Sequence, residues 1–242
     1  MQTQNKITGL KRLFLAGALG LLVTLVPSQS KAFDMPRPYV QSTLASALVS
    51  PAGTSIDDAC RQDWISVNPI KNLELGIWQN QFLNERSITE RDYCATYSIP
   101  VTSNLTASAG FQYWDYPNER FGNFDSVETL GLNYSGAVNA NVAYAHLNHN
   151  SATEAGDRFC ASLSKPITLV DGKAKITLTP SLSSAVNNNF YGNNGLAHIT
   201  PGVKLGVSYK NANASAFFNV QRGISQDIQN INFGGVSLGF QF

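Results

Sequence analysis

From residue 72 onward the chain alternates apolar and polar residues with a period of two, in segments of about ten, and that period belongs to extended strands rather than helices. Ten such segments can be drawn, at 72–83, 91–99, 104–115, 126–135, 139–147, 157–169, 174–186, 198–210, 213–222 and 234–242. In the third, Leu105, Ala107, Ala109, Phe111 and Tyr113 oppose Thr106, Ser108, Gly110, Gln112 and Trp114. In the eighth, Ile199, Val203, Leu205, Val207 and Tyr209 oppose Thr200, Lys204, Gly206 and Ser208. Alternation by itself fits either a soluble sandwich or a membrane barrel. The connections separate the two. Counted back from the end they run long at 223–233, short at 211–212, long at 187–197, and short at 170–173, where Asp171-Gly172 suits a tight turn. The rhythm continues with long 148–156, short 136–138, long 116–125 and short 101–103. An up-and-down transmembrane barrel keeps this rhythm, and a Greek-key sandwich does not.

The last segment carries a resemblance. Val236, Leu238, Phe240 and Phe242 share one strand face, against Gly235, Ser237, Gly239 and Gln241 on the other. A final strand ending in Phe with apolar residues at every second position resembles the closing strand of bacterial outer-membrane β-barrels. The resemblance implies that these four apolar residues are the signal read by the barrel-assembly machinery, and that this strand closes the barrel against the first. The expected fold is all-β, an up-and-down antiparallel transmembrane barrel of about ten strands, with eight and twelve as alternatives. Both chain ends would then be periplasmic, and outer-membrane lipid and lipopolysaccharide would surround the wall.

The beginning of the chain agrees with export. Lys6, Lys11 and Arg12 precede an apolar run from Leu13 to Val26, followed by Ser30-Lys31-Ala32, the layout of a secretory signal peptide spanning 1–32. That run is shorter than the roughly 20 residues a spanning helix needs. Residues 33–71 hold Pro36, Pro38, Pro51 and Pro69 without a sustained period, and read as a periplasmic lead-in or partial plug ahead of a barrel at 72–242. Two further strands in this stretch would enlarge the barrel to twelve.

Charge narrows the function. Without 1–32 the chain has 13 Lys and Arg against 16 Asp and Glu, a slightly acidic balance that argues against nucleic-acid binding. The inward positions are mostly Ser, Thr, Asn, Gln and Gly. Glu74, Arg158, Lys175 and Lys204 are the clearest inward charges and the candidate lumen-lining residues. Either these groups satisfy one another and plug the interior, or they line a narrow pathway in which Lys175 and Lys204 favour anions. Glu90, Asp92, Asp115, Asp125, Glu128 and Asp157 belong to a set of carboxylates read as lying at the rim and in the connections. Aromatics fall into two interfacial groups, with Tyr113, Trp114, Tyr116, Phe121, Phe124, Phe159, Phe190, Tyr191 and Phe233 toward the long connections. The other group is Tyr97, Tyr134, Tyr209, Phe240 and Phe242.

Three cysteines, Cys60, Cys94 and Cys160, leave at least one unpaired, and their spacing is that of no metal site. No cofactor is expected. His198 and Thr200 resemble weakly the His-x-Ser arrangement of lipid A deacylases, but Thr stands in place of Ser and the strand phase turns both inward. The expected function is non-enzymatic: an outer-membrane barrel that is structural or a narrow channel for small solutes. The alternatives are an adhesin or ligand-binding barrel acting through its long connections, and a lipid-modifying outer-membrane enzyme.

Overall fold

The computed structural model describes residues 38–50, 53–85, 87–117, 124–148, 154–226 and 228–242. The expected signal peptide lies outside these residues. In chain order the strands are β1 (Tyr39–Ala45), β2 (Leu48–Val49), β3 (Ser55–Ile56), β4 (Cys60–Ile70), β5 (Leu73–Phe82), β6 (Glu90–Pro100), β7 (Leu105–Asp115) and β8 (Phe124–Tyr134). They continue as β9 (Asn139–Leu147), β10 (Gly156–Ser164), β11 (Ile167–Asp171), β12 (Ala174–Phe190), β13 (Asn193–Tyr209), β14 (Ala212–Gly223) and β15 (Ile231–Gln241). Every pairing is antiparallel, and the sheet closes on itself through β1 with β15 and β10 with β12. The result is a closed barrel of 12 strands, two more than the ten drawn from the alternation.

The two extra strands come from the stretch read as a lead-in. Tyr39–Ala45 pairs on one side with β15 and on the other with β4, so both β1 and β4 belong to the wall. Their alternation is hard to read because the outward face of β4 carries Arg61 and Asp63, joined at 2.9 Å, beside Ile65. The closing strand therefore meets Tyr39–Ala45 rather than the segment at 72–83. Thr43 Oγ1 and Ser237 Oγ lie 2.8 Å apart across that seam.

The sixth segment breaks at Lys165-Pro166 into β10 and β11, because proline cannot donate to a ladder. The expected long connection at 187–197 is instead strand. β12 and β13 run 17 residues each and turn at Tyr191-Gly192, both with positive φ, the backbone a two-residue type I′ hairpin turn requires. Register shifts between Ala185 and Val186, and again between Asn187 and Phe190, hide the period there. Elsewhere long and short connections alternate as read.

The apolar and polar sides are inverted relative to a soluble protein. Leu75, Ile77, Leu130, Leu132, Val142, Leu163, Leu205 and Phe218 stand on the outer surface, each more than 40 % exposed. This band ends sharply toward the long connections. In register across β4 to β7, Ile65, Ile77, Tyr93 and Tyr113 form one outward row and Asp63, Gln79, Arg91 and Asp115 the next. Across β8 to β12, Leu130, Tyr144, Phe159 and Val186 are likewise followed by Glu128, His146, Asp157 and Asn188. Such an edge between apolar and polar rows is what a hydrocarbon boundary imposes. Val236, Leu238, Phe240 and Phe242 all point outward, at 53 %, 68 %, 43 % and 63 % exposure.

Candidate functional site

The lumen is the only interior a barrel has, and here its two halves differ. Toward the short turns the inward positions are small or polar: Thr96 and Ser98 on β6, Thr106 and Ser108 on β7, Gly131 and Asn133 on β8, Gly206 and Ser208 on β13. Toward the long connections β5, β7, β8 and β9 turn in Trp78, Phe82, Trp114, Val127 and Leu147, all nearly or wholly buried. These side chains form one cluster with Trp64, Tyr116, Phe190 and Tyr191. Gly76 makes room for it, since a Cβ there would overlap the Trp64 ring.

The cluster is capped by the chain between β1 and β4. Its short hairpin, β2 with β3, folds into the barrel rather than over it. Ala47, Leu48, Val49, Ser50, Thr54 and Ser55 are each less than 9 % exposed. Leu48 joins the aromatic cluster, while Ala47 and Val49 pack with Ile231 and Phe233 of the facing wall. Gln221 Nε2 donates to the Gly53 carbonyl at 2.6 Å. Gly53 itself sits at φ +92 against the His198 ring, where a side chain would be both strained and blocked. The hairpin therefore spans the lumen from the β4 side to the β13–β15 side.

The four candidate lumen residues all take the inward phase but occupy different surroundings. Glu74 lies toward the short turns and accepts a hydrogen bond from Ser66. Lys175 is exposed at that end, opposite Ser208, and Lys204 is half-buried opposite Thr179. Four register positions separate the two lysines, about 13 Å along the strands, so they do not form a single ring. Arg158 is 4 % exposed in the closed half, its guanidinium 4.7 Å from the centre of the Phe190 ring.

Several residues missed as lumen groups matter more. Glu90, Asp92 and Asp125, read as rim carboxylates, are turned inward and are 3 %, 0 % and 2 % exposed. Trp114, Tyr116, Phe190, Tyr191 and Phe233, read as part of an interfacial belt, are inside, while Tyr113, Phe124 and Phe159 are outside. Phe121 lies outside the described residues. Strand parity held the signal for Glu90 and Asp92, which share the phase of Cys94 and Thr96. Tyr191 Oη donates to Asp125 Oδ2 at 2.6 Å. Burial, then the nearby ionisable groups, pushes the Tyr116 and Tyr191 phenols well above their usual range, so both stay neutral donors.

The histidines are divided between the two surfaces. His198 is buried inward with Nδ1 2.9 Å from Thr200 Oγ1, beside the hairpin. His146 points outward, Nδ1 2.8 Å from Asp157 Oδ1, and Tyr144 Oη donates to the same oxygen at 2.7 Å. His149 lies outside the described residues. No disulfide joins the three cysteines among the described residues, and Cys60 and Cys94 are buried on the inner wall. Among the described residues no three His, Cys, Asp or Glu side chains group closely enough to hold a metal ion.

No protein-family model matches the sequence, and no curated protein is similar to it in sequence. Solved structures are similar in fold. The KdgM porin matches with a TM-score of 0.58 at 13 % identity, over 84 % of this chain and 99 % of that one. The NanC porin matches at 0.51 and 10 % identity, over 85 % and 98 %. LpxR from Salmonella typhimurium matches at 0.56 and 8 % identity, over 84 % and 100 %. The chain thus has the fold of porin-like outer-membrane β-barrels; at such identities the likeness is one of fold.

Proposed function

We propose that this protein resides in a bacterial outer membrane, its long connections outward and both chain ends periplasmic, as a narrow channel for small solutes closed by an internal hairpin. One observation carries this reading. The lumen is lined by small polar residues in one half and stopped in the other by the chain around the β2–β3 hairpin, described at 46–50 and 53–59, that the wall holds through packing and a few hydrogen bonds. A barrel built only as a scaffold has no need of a separable stopper between two lined walls. The wall's apolar band accounts for contact with lipid, and the outward face of β15 is what the assembly machinery would read. The porin folds among the similar structures support the same reading.

The test is single-channel current in a planar bilayer from the refolded chain lacking the signal peptide, beside a variant in which Ala47–Ala59 is replaced by a short Gly-Ser link. The reading expects sparse openings from the first and steady steps from the second. It also expects a weaker anion preference when Lys175→Glu and Lys204→Glu are added. Silence from both, with a folded barrel confirmed by heat-modifiable gel migration, would end the channel reading.

A second reading has one observation in its favour. His146, oriented by Asp157, lies on the outer wall one row beyond Tyr144 and Phe159, at the height where lipid headgroups would meet it. A lipid-modifying activity there predicts a change in lipid A mass on expression that His146→Ala removes. An unchanged lipid mass spectrum with the wild-type protein eliminates it.

A further inference from the structure

The closed half of the lumen buries several hydrogen-bond acceptors that no donor reaches. Asp92 faces inward on β6 between Trp78 of β5 and Trp114 of β7, its direct register partners. It is fully buried and neither of its carboxylate oxygens has a partner. Around it stand three more buried oxygens without one: Glu90 Oε1, Asn80 Oδ1 and Gln112 Oε1. Asn80 is opposite Glu90 in the ladder, and Asn80 and Gln112 are the diagonal neighbours of Asp92 on either side. Diagonal neighbours lie about 7–8 Å apart, within reach of side chains of this length. The Asn80 amide is fixed by its Nδ2 bond to Thr89 Oγ1 at 3.0 Å, which leaves the oxygen as its open acceptor.

Five unpartnered oxygens on three adjacent strands, two of them on one carboxylate, are costly to bury. The buried cation of this half, Arg158, stacks on Phe190 and makes no bond to Asp92. The oxygens are sealed from solvent, so neither bulk water nor the hydroxyls of a solute reach them without moving the cluster. A cation taken up as these strands pair during folding exchanges its water for the oxygens. Two carboxylates balance a double positive charge, and carboxylate plus amide oxygens are the donor set of a hard cation.

We propose that Asn80, Glu90 and Asp92 form an inner-wall site for one calcium-like divalent cation, Gln112 lying on the far side of Asp92. The site combines two acids with one amide, so it is not a cluster of three acids. It adjoins the aromatic cluster that also contains Leu48 of the hairpin, and a bound cation therefore ties β5 and β6 together beneath the stopper. The inference does not depend on whether the lumen conducts.

Terbium, a calcium substitute whose emission is sensitised by nearby tryptophan, gives the test on the refolded chain in lipopolysaccharide-free detergent. The expected result is one saturable terbium site per chain, displaced by calcium. Affinity should fall at least tenfold in Asp92→Asn and in Glu90→Gln, and stay unchanged in the exposed-site control Glu154→Gln. Trp114→Phe should dim the emission while calorimetric calcium affinity persists. No saturable uptake by the folded wild type, or affinities in Asp92→Asn and Glu90→Gln within twofold of it, would overturn the proposal. The second result would mean that Trp114 Nε1, an unpartnered donor facing Asp92, satisfies the carboxylate instead. The wild-type measurement stands alone if a variant fails to fold.

Discussion

The half of the barrel near the short turns and the half near the long connections are built from the same strands, yet only one has an interior that resembles a protein core. Near the short turns, Ser108, Gly131 and Ser208 leave the lumen to polar groups. Near the long connections Trp78, Trp114 and Phe190 pack with the hairpin at less than 4 % exposure. The difference shows that one alternating pattern serves two purposes: the outward set keeps an apolar band with a polar row at its edge, while the inward set changes from lining to filling along its length. Stability and permeability are therefore expected to separate by position along the strand.

The largest effect should come from the filled half. Trp114→Ala removes a fully buried indole and should cost about 3–5 kcal/mol. Ser108→Ala, on the same strand face, should stay within roughly 0.5 kcal/mol. Urea midpoints followed by gel migration in the same detergent compare the two, and equal shifts would erase the distinction. Next in size is the outer band: Leu205→Arg, between Leu178 and Ala216 in the ladders, should cost about 2–4 kcal/mol if it lies near the bilayer midplane. The measurement is refolding yield into vesicles, and an undiminished yield would argue that this face meets no hydrocarbon.

Gly76→Val should cost about 1–3 kcal/mol, because the added carbons overlap the Trp64 ring and force the filled half to repack. If its unfolding midpoint matches wild type, Trp64 is not held there. The smallest effect on stability, within roughly 0.5 kcal/mol, belongs to Lys204→Glu in the lined half. Its signature is instead a shift in reversal potential toward cations once the hairpin is removed. An unshifted potential would place Lys204 off the path.

Much of the barrel was legible in the alternation, because a wall between lipid and lumen enforces period two wherever both faces differ. The phases of β5 to β10 and of β14 and β15 follow directly from it. What could not be read has physical causes. Residues 39–45 and 60–70 alternate weakly, since Ser42 interrupts the outward set between Val40 and Leu44, and Arg61 and Asp63 take outward positions beyond Ile65. The hairpin gave no periodic signal because two-residue strands have no period to show. The filled half was misread because a tryptophan at a strand end looks the same whether it anchors at the membrane surface or packs inside; only register and parity place Trp114 inward and Tyr113 outward. Glu90, Asp92 and Asp125 were assigned to the rim because buried carboxylates without cationic partners are not expected from sequence.

The central claim is that a hairpin within the lumen closes it, and Cys60 reports on this without any added probe site. It is a free thiol on the inner face of β4, fully buried in the cluster that Leu48 of the hairpin joins and that Ile56 packs against. The decisive measurement is its labelling rate by a small charged methanethiosulfonate in lipid vesicles, in the intact protein and in the variant with Ala47–Ala59 replaced. The account predicts protection in the intact barrel and at least a tenfold faster reaction in the variant. Rapid labelling of the intact, folded protein, as fast as in the unfolded chain, would contradict it.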